Sequence, residues 1–396
     1  KELEGQTNSY IKVKSSLQAL KDMALLYRNN LDIKVVGITG SVGKTSTKET
    51  ISYVLNKKYK VLKTEGNFNN EIGLPLTVFR LRDDDEVAVL EMGISDFGEM
   101  DRLSKIAQPD ISVITNIGLC HLENLKTRDG ILKAKTEIFN NMKPDGIAIL
   151  NGDDDKLITV DEVNGKKPER FGINYKDGVY AKDIENLGLS GTKFVISGLN
   201  CVDGCKDFEV TVPVPGHHMI YNALAAACVG AALELTSAQI ADGITDLKTI
   251  SGRNNIIKTS KYTLIDDCYN ANPVSMKASV DVLDMAIGRK VCILGNMYEL
   301  GENEKNLHYD VGQYIGTKNI DVLITIGDLA RHIAMGTDDY METHFGSYDC
   351  EIHSFDDMEE FNMAYSSILK DNDNILIKAS HAMKFADIVE LLSKDN

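Results

Sequence analysis

Lys44 and Thr45 follow two glycines at the end of an apolar run, in Gly37-Ile38-Thr39-Gly40-Ser41-Val42-Gly43-Lys44-Thr45-Ser46. An apolar strand, a glycine-containing turn, Lys-Thr and then a helix is the order of a phosphate-binding loop. Backbone N–H groups at a helix N-terminus face outward with about half a positive charge, and so attract phosphate. Gly40 and Gly43 let the backbone approach such a ligand with no Cβ in the way. Lys44 is placed to reach the terminal phosphates, and the Thr45 hydroxyl to take a Mg²⁺ coordination position. Ser41, Val42 and Ser46 complete the cradle. The expected chemistry is consumption of a nucleoside triphosphate. The usual first glycine of such a loop is Ile38 here, and Gly40 carries the turn instead. Taken alone, the segment is also compatible with a plain strand-to-helix turn bearing a chance Lys-Thr.

Other polar groups end apolar runs further on. Val87–Leu90 is followed by Glu91, at a strand's C-terminal end where a carboxylate can hold Mg²⁺ near phosphates. A capping or ion-paired glutamate would look the same. Ile111–Ile114 leads to Thr115 and Asn116, with His121 just beyond. A lone histidine is as compatible with packing as with ligation. Lys133 and Lys135 fall on a charge-rich helix, whose default reading is a solvated face.

These residues need elements to position them. Apolar spacing predicts a helix over 15–30, from Leu17, Leu20, Leu25 and Leu26. Strands are predicted at 33–38, 87–91, 111–115 and 147–150, and helices at 44–57, 97–107 and 129–142. That alternation indicates an α/β fold with a mostly parallel sheet and a site at the strand C-termini. Residues 168–214 change to short β-prone runs broken by Gly and Asn, as in a small antiparallel sheet. An alanine-rich helix, 219–235, reads as buried. The pattern restarts near Ser251-Gly252, with strands at 262–267, 290–294, 321–326 and 374–379. The expected division is a leading tail and linker helix over 1–30, a nucleotide-binding domain over 31–250, and a Rossmann-like α/β domain over 251–396.

Composition narrows the class. A chain of 396 residues exceeds one ordinary core. A net charge of −16 argues against nucleic acid as the main partner, although local loops can still attract anionic small molecules. No apolar run approaches the roughly 20 residues of a membrane span, and Lys1-Glu2-Leu3-Glu4 has no signal-peptide character. Seven dispersed cysteines with no CxxC pair read as reduced thiols of a cytoplasmic protein. The absence of a long apolar seam makes a monomer the expectation.

Several segments together resemble the Mur ligases, the ATP-dependent amide-forming enzymes of peptidoglycan precursor synthesis. They are Gly37–Glu49, Gly66-Asn67-Phe68-Asn69-Asn70-Glu71-Ile72-Gly73-Leu74-Pro75, Glu91-Met92-Gly93, Thr115-Asn116-Ile117-Gly118 with His121, and Lys133-Ala134-Lys135-Thr136-Glu137. They continue with Asn222-Ala223-Leu224-Ala225-Ala226, Asp266-Asp267-Cys268-Tyr269-Asn270-Ala271-Asn272-Pro273, and Leu294-Gly295-Asn296-Met297-Tyr298-Glu299-Leu300-Gly301 with His308. The likeness runs from about residue 15 to the C-terminus. The Asn-rich, Tyr-Asn-Ala-Asn-Pro and Leu-Gly-x-Met-x-Glu-Leu-Gly segments imply the branch that adds D-alanyl-D-alanine to UDP-N-acetylmuramoyl-tripeptide.

The resemblance implies roles. ATP would phosphorylate a substrate carboxylate, and an amine would then attack the acyl phosphate. Thr45 and Glu91 would hold one Mg²⁺. His121 would hold a second, with a lysine the family carries in carbamylated form, here Lys135. Asn222 matches the adenine contact, and its amide can donate and accept at once. Arg253 and Asp267 match positions that close onto the nucleotide, Arg253 reaching the phosphates only after domain closure. Tyr269, Asn270, Asn272 and Pro273 would shape the dipeptide pocket, and Asn67, Asn69 and Asn70 would contact substrate and phosphate groups.

Three departures stand out. Family members begin with a domain that grips the UDP group, whereas this sequence starts shortly before the loop. Met219 replaces an asparagine in Gly216-His217-His218-Met219, and His381 replaces an arginine in Lys378-Ala379-Ser380-His381. Loss of that bidentate fork would change how the dipeptide carboxylate is held. Two other readings stay open here: a sibling ligase with a different amine, such as a folate-directed one, and a nucleotide-binding scaffold without ligase chemistry.

Overall fold

The computed structural model describes residues 11–249, 251–345 and 350–394. Residues 1–10 of the expected leading tail therefore lie outside the described part. The first sheet comprises β1 (Lys34–Thr39), β2 (Val61–Lys63), β3 (Val87–Glu91), β4 (Ile111–Ile114), β5 (Ile147–Asn151), β6 (Glu169–Gly172), β7 (Val179–Asn186), β8 (Thr192–Ser197) and β9 (Asp207–Val212). Their order is β2-β3-β1-β4-β5-β6-β7-β8-β9. Every pair from β2 to β7 is parallel, and only β7–β8 and β8–β9 are antiparallel. The antiparallel strands expected over 168–214 are thus present but do not stand apart. Phe171 and Gly172 pair with Val179 and Tyr180, which fuses them to the edge of the parallel sheet.

β3 and β4 are buried along their whole length and β1 at all but its first residue. That is why they read as continuous Val/Ile runs rather than as alternation. Two apolar clusters flank the sheet. One includes the helices Lys44–Leu55 and His218–Ala232, the other Glu99–Ala107 and Arg128–Thr136. β1 lies between β3 and β4; the chain runs from β1 towards β2 on one side and from β4 towards β5 on the other. Crevices for ligands open at the C-terminal ends of such strands, and the register Ile38↔Glu91 and Thr39↔Ile114 brings the three strand ends together there.

The second sheet comprises β10 (Asn255–Lys258), β11 (Thr263–Asp266), β12 (Lys290–Gly295), β13 (Val322–Ile326), β14 (Glu351–Phe355) and β15 (Asn374–Lys378). Its order is β10-β11-β15-β12-β13-β14, antiparallel only at β10–β11. Apolar clusters cover both of its faces. Leu189, at the tip of the β7–β8 hairpin, packs against one of them and joins the two sheets' units.

The helix Ser16–Asn29 forms as its spacing predicts, with Ser15 capping the Gln18 N–H. The face it buries is different. Lys21, Ala24 and Arg28 turn inward, while Leu17, Met23 and Leu26 are exposed. Lys21 pairs with Glu71, and Arg28 donates to the carbonyls of Ala107, Leu31 and Ile33. The leucine spacing marked a helix but not its core face. Ile72, just before the contacting helix Gly73–Val78, and Leu76 within it are exposed as well.

Candidate active site

The phosphate loop joins β1 to the helix Lys44–Leu55. Gly40 (φ 152°) and Gly43 (φ 84°) both carry positive φ. A Cβ on Gly40 would stand 1.9 Å from the Thr115 hydroxyl oxygen, so glycine is required by space as well as by conformation. The end of β4 shapes the loop. Thr115 Oγ1 donates to the Val42 carbonyl at 2.7 Å, and Asn116 holds both the N–H and the C=O of Val42, each at 2.9 Å. Lys44 Nζ rests on the Gly40 carbonyl at 2.8 Å. Burial lowers its pKa, with the Glu91 carboxylate opposing that shift.

Glu91 closes β3 and is 2% exposed. Its Oε1 accepts from the Thr45 hydroxyl at 3.2 Å and from Asn69 Nδ2 at 2.8 Å. Its Oε2 is buried without a hydrogen-bond partner. Lys48 Nζ stands 3.8 Å from that oxygen but donates to the Thr64 carbonyl at 2.7 Å. A buried carboxylate oxygen left bare is costly unless a cation meets it, and a carboxylate beside a threonine hydroxyl is a hard-oxygen set suited to Mg²⁺. The residues present fit that ion.

His121 follows β4 with a left-handed backbone (φ 50°). Burial first, then the charges of Lys135 and Lys44, lowers its pKa. The ring is therefore neutral at pH 7 and able to ligate a cation. Its Nδ1 lies 3.8 Å from the Glu299 carboxylate of the second sheet's unit. Lys133 and Lys135 part company on their helix. Lys133 is exposed, as a solvated face would be, whereas Lys135 is only 1% exposed. Burial, and then the Lys44 charge, pushes the Lys135 pKa down to about 7. A large share of its amines are thus unprotonated near neutrality, the form that can add CO₂.

The second sheet's unit completes a cleft of about 320 Å³ with the loop, Glu91 and Asn69. Arg253 lies in it with its guanidinium 4.2 Å from the Tyr269 ring centroid. Its charge is close enough to depress the Lys44 pKa. Arg253 thus shares the cleft with the loop. Asp267 lies in the wall of the cleft with its oxygens taken up by protein. Ser279 and Lys378 donate to Oδ2, each at 2.5 Å, and the Asn254 N–H to Oδ1 at 3.1 Å. Asn272 caps the helix Pro273–Asp284 through the Ser275 N–H, and Asn270 Oδ1 accepts the Ala271 N–H. Their amides support the turn that presents Tyr269, whose ring meets His381 at 5.5 Å. Of the three asparagines 67, 69 and 70, only Asn69 reaches the cleft. Asn70 Oδ1 accepts the N–H groups of Ile72 and Gly73, and Asn67 is exposed.

On the other side of the loop is a cavity of about 520 Å³, walled in part by Asn116, Asn151, Phe171, Tyr221 and Asn222. Asn222 Oδ1 accepts the Thr47 hydroxyl at 2.9 Å, and its Nδ2 meets the Met219 sulfur at 3.2 Å. The departure at Met219 therefore bears directly on the amide expected to read adenine. Sequence reading missed Asn151, Phe171 and Tyr221. The available signal was the polar cluster Asn151-Gly152-Asp153 after a predicted strand, the same pattern that marked Glu91. Phe171 and Tyr221 had no such signal, because ordinary core residues look the same.

The arrangement gathers a phosphate-binding loop, a hard-oxygen pair suited to a divalent cation and an arginine of the second lobe in one cleft. Comparison with known proteins gives the family. Residues 38–230 match the Mur ligase middle domain, and residues 252–381 the Mur ligase, glutamate ligase domain. The chain is 37% identical over 388 residues to the UDP-N-acetylmuramoyl-tripeptide–D-alanyl-D-alanine ligase of Bacillus subtilis, covering 97% of this chain and 81% of that protein. A crystal structure of MurF from Acinetobacter baumannii superposes with a TM-score of 0.86 at 30% identity, over 97% of this chain and 82% of that one. MurF from Thermotoga maritima in complex with ADP gives 0.85 at 30% identity, over 100% and 87%. The chain belongs to the Mur ligase family, on the branch of the UDP-N-acetylmuramoyl-tripeptide–D-alanyl-D-alanine ligases.

Proposed function

We propose that this chain joins D-alanyl-D-alanine to UDP-N-acetylmuramoyl-tripeptide while cleaving ATP to ADP and phosphate, in peptidoglycan precursor synthesis. The observation that carries the reading is the bare, buried Oε2 of Glu91 beside Thr45, in a cleft shared by Lys44 and Arg253. The 37% identical relative bears that activity in its name. The loop N–H groups, Lys44 and Arg253 orient the triphosphate and stabilise charge on the γ-phosphoryl group. A carboxylate oxygen of the tripeptide attacks the γ-phosphorus and ADP leaves, giving an acyl phosphate. The dipeptide amine then attacks the acyl carbon, and phosphate departs as the amide forms. Thr45 and Glu91 would hold a Mg²⁺ ion, which would supply neutralisation of the crowded anions. His121 and a carbamylated Lys135 are the candidate ligands of a second ion. The lowered pKa of Lys135 supports its carbamylation, which turns a cation into an anion.

The cavity of about 520 Å³ is the candidate adenosine site, with Asn222 on the base. Tyr269, Asn270 and Asn272 form the candidate dipeptide side of the cleft. Asp267 acts there by holding Lys378 and the Arg253 loop. Asn69 acts through Glu91, and Asn67 and Asn70 shape its loop. The division at residues 30 and 250 separates a leading helix, an ATP-binding lobe and a C-terminal lobe. Small-molecule partners, a cytoplasmic location and a monomer complete the reading. Among the described residues no helix is long and apolar enough to cross a membrane. The test is mass spectrometry of products after mixing the chain with ATP, Mg²⁺, the UDP-linked tripeptide and a panel of amines. A product carrying D-alanyl-D-alanine is expected. Amide formation only with another amine, or ATP binding with no amide at all, would overturn it.

A further inference from the structure

Arg253 sits between two left-handed residues, Gly252 (φ 77°) and Asn254 (φ 47°). Each is tied down. The Gly252 N–H donates to Asp266 Oδ2 at 2.7 Å, and the Asn254 N–H to Asp267 Oδ1 at 3.1 Å. Asn254 makes one more contact, and it crosses between the lobes. Its side-chain amide lies 3.3 Å from Nε2 of His218, the first residue of the helix His218–Ala232 in the ATP-binding lobe. Burial lowers the His218 pKa, so the ring is neutral and one of its nitrogens can accept a hydrogen bond. Asn254 is 7% exposed, and its other amide atom, Oδ1, is buried with no partner. A buried amide with one half unsatisfied is not explained by packing alone. Both residues line the cleft that holds Lys44 and Arg253.

We propose that His218 and Asn254 form a clasp between the lobes that positions Arg253 on the phosphoryl group being transferred. The inference rests on the ligase reading above for what Arg253 does, but not for the existence of the clasp. Neither residue touches the reacting atoms; both act through Arg253 and are positioning residues. The left-handed turn at Asn254 aims the arginine, and the His218 contact fixes that turn against the lobe carrying the phosphate loop.

The test is a double-mutant cycle on the full chain, with an exchange measurement beside it. His218→Leu removes the contact, and His218→Gln retains an acceptor. His218→Leu is expected to lower kcat about tenfold or more with KM for ATP changed less than about threefold, as loss of an arginine aimed at the transition state should. His218→Gln is expected to recover most of that loss. In an Arg253→Ala background, His218→Leu is expected to cost nothing further, because residues acting as a unit are non-additive. Equal losses in both backgrounds would overturn the proposal. Hydrogen exchange over residues 248–256 reads the clasp without turnover. His218→Leu is expected to speed it about tenfold and His218→Gln to leave it near wild type. Unchanged exchange in His218→Leu would overturn the clasp even if the chain proved to be no ligase. Absent amide formation by the wild type, with the exchange effect intact, would instead overturn the ligase reading alone.

Discussion

Lys44, Glu91 and Lys135 are each set to their task by what packs around them. Lys44→Ala is expected to lower turnover by about 10²–10³-fold, as removal of one preorganised charge from a transition state does; near-normal steady-state rates would sink the phosphate-loop assignment. Glu91→Gln keeps a carbonyl acceptor but removes the bare anionic oxygen. Thermal unfolding in EDTA should show the variant unchanged or stabilised by about 1 kcal/mol, the order of a relieved unsatisfied group. Its Mg²⁺-dependent rise in melting temperature should vanish. Lys135 supplies a pH dependence. Its folded pKa of about 7 lies below the usual lysine range, so above pH 7 the folded chain has lost a proton that the unfolded chain keeps. Unfolding then takes up a proton, and stability rises with pH from about 7 towards the lysine range. Urea unfolding across that window in CO₂-free buffer should show this slope, and Lys135→Met should lack it. Turnover in Lys135→Ala should recover partly with added short carboxylates. Lys44 and Glu91 were legible as types at or just after strand ends, whereas Lys135 stood out from its charge-rich helix only through the family resemblance. The bare oxygen of Glu91 and the burial of Lys135 were not legible, because both depend on what packs from elsewhere in the chain.

The strands that build the site were readable because strands buried on both faces make continuous apolar runs. β2 spans only three residues, Val61–Lys63, too few to show any period. The helix Ser16–Asn29 was legible as a helix but not in its orientation, since Arg28 finds three carbonyls to bond and Leu26 does not find a core. Within the loop, the strand-to-helix transition depends on Gly40. Gly40→Ala would drive a methyl group into the Thr115 hydroxyl and unseat the Val42 turn. Calorimetric titration should then show ATP binding weakened by about tenfold or more, the order of one lost cluster of charge-assisted contacts. Wild-type affinity would mean the loop adapts and the clash is relieved by movement of β4.

The two sheets form one cleft because the β7–β8 hairpin reaches across and sets Leu189 against the second lobe's apolar cluster. Its loss should loosen the lobes and leave each lobe's own core intact. Leu189→Asp is expected to enlarge the radius of gyration in solution scattering and raise KM for ATP, with the fold of each lobe unchanged by circular dichroism. An unchanged scattering profile would mean that other contacts between the lobes suffice. The acidic total of −16 is compatible with anionic substrates because the site's cations, Lys44, Arg253 and Lys378, are gathered in one cleft. A net charge sums over the whole surface, whereas a ligand meets the local field.

Local chemistry was written in the chain order: the strand-turn-helix around Gly40–Lys44, the carboxylate ending β3, the polar pair ending β4, and the restart near Ser251. Each depends on neighbours in sequence, and short-range sterics and hydrogen bonding act at that range. Other features needed the folded chain. They include the inward turn of Lys21 and Arg28, the buried and partly neutral amine of Lys135, and the use of Asp267 to hold Lys378. They also include the approach of His218 to Asn254 and of Arg253 to the loop. Each joins residues far apart in the chain, and burial and charge proximity are properties of space. No pattern along one dimension reports them.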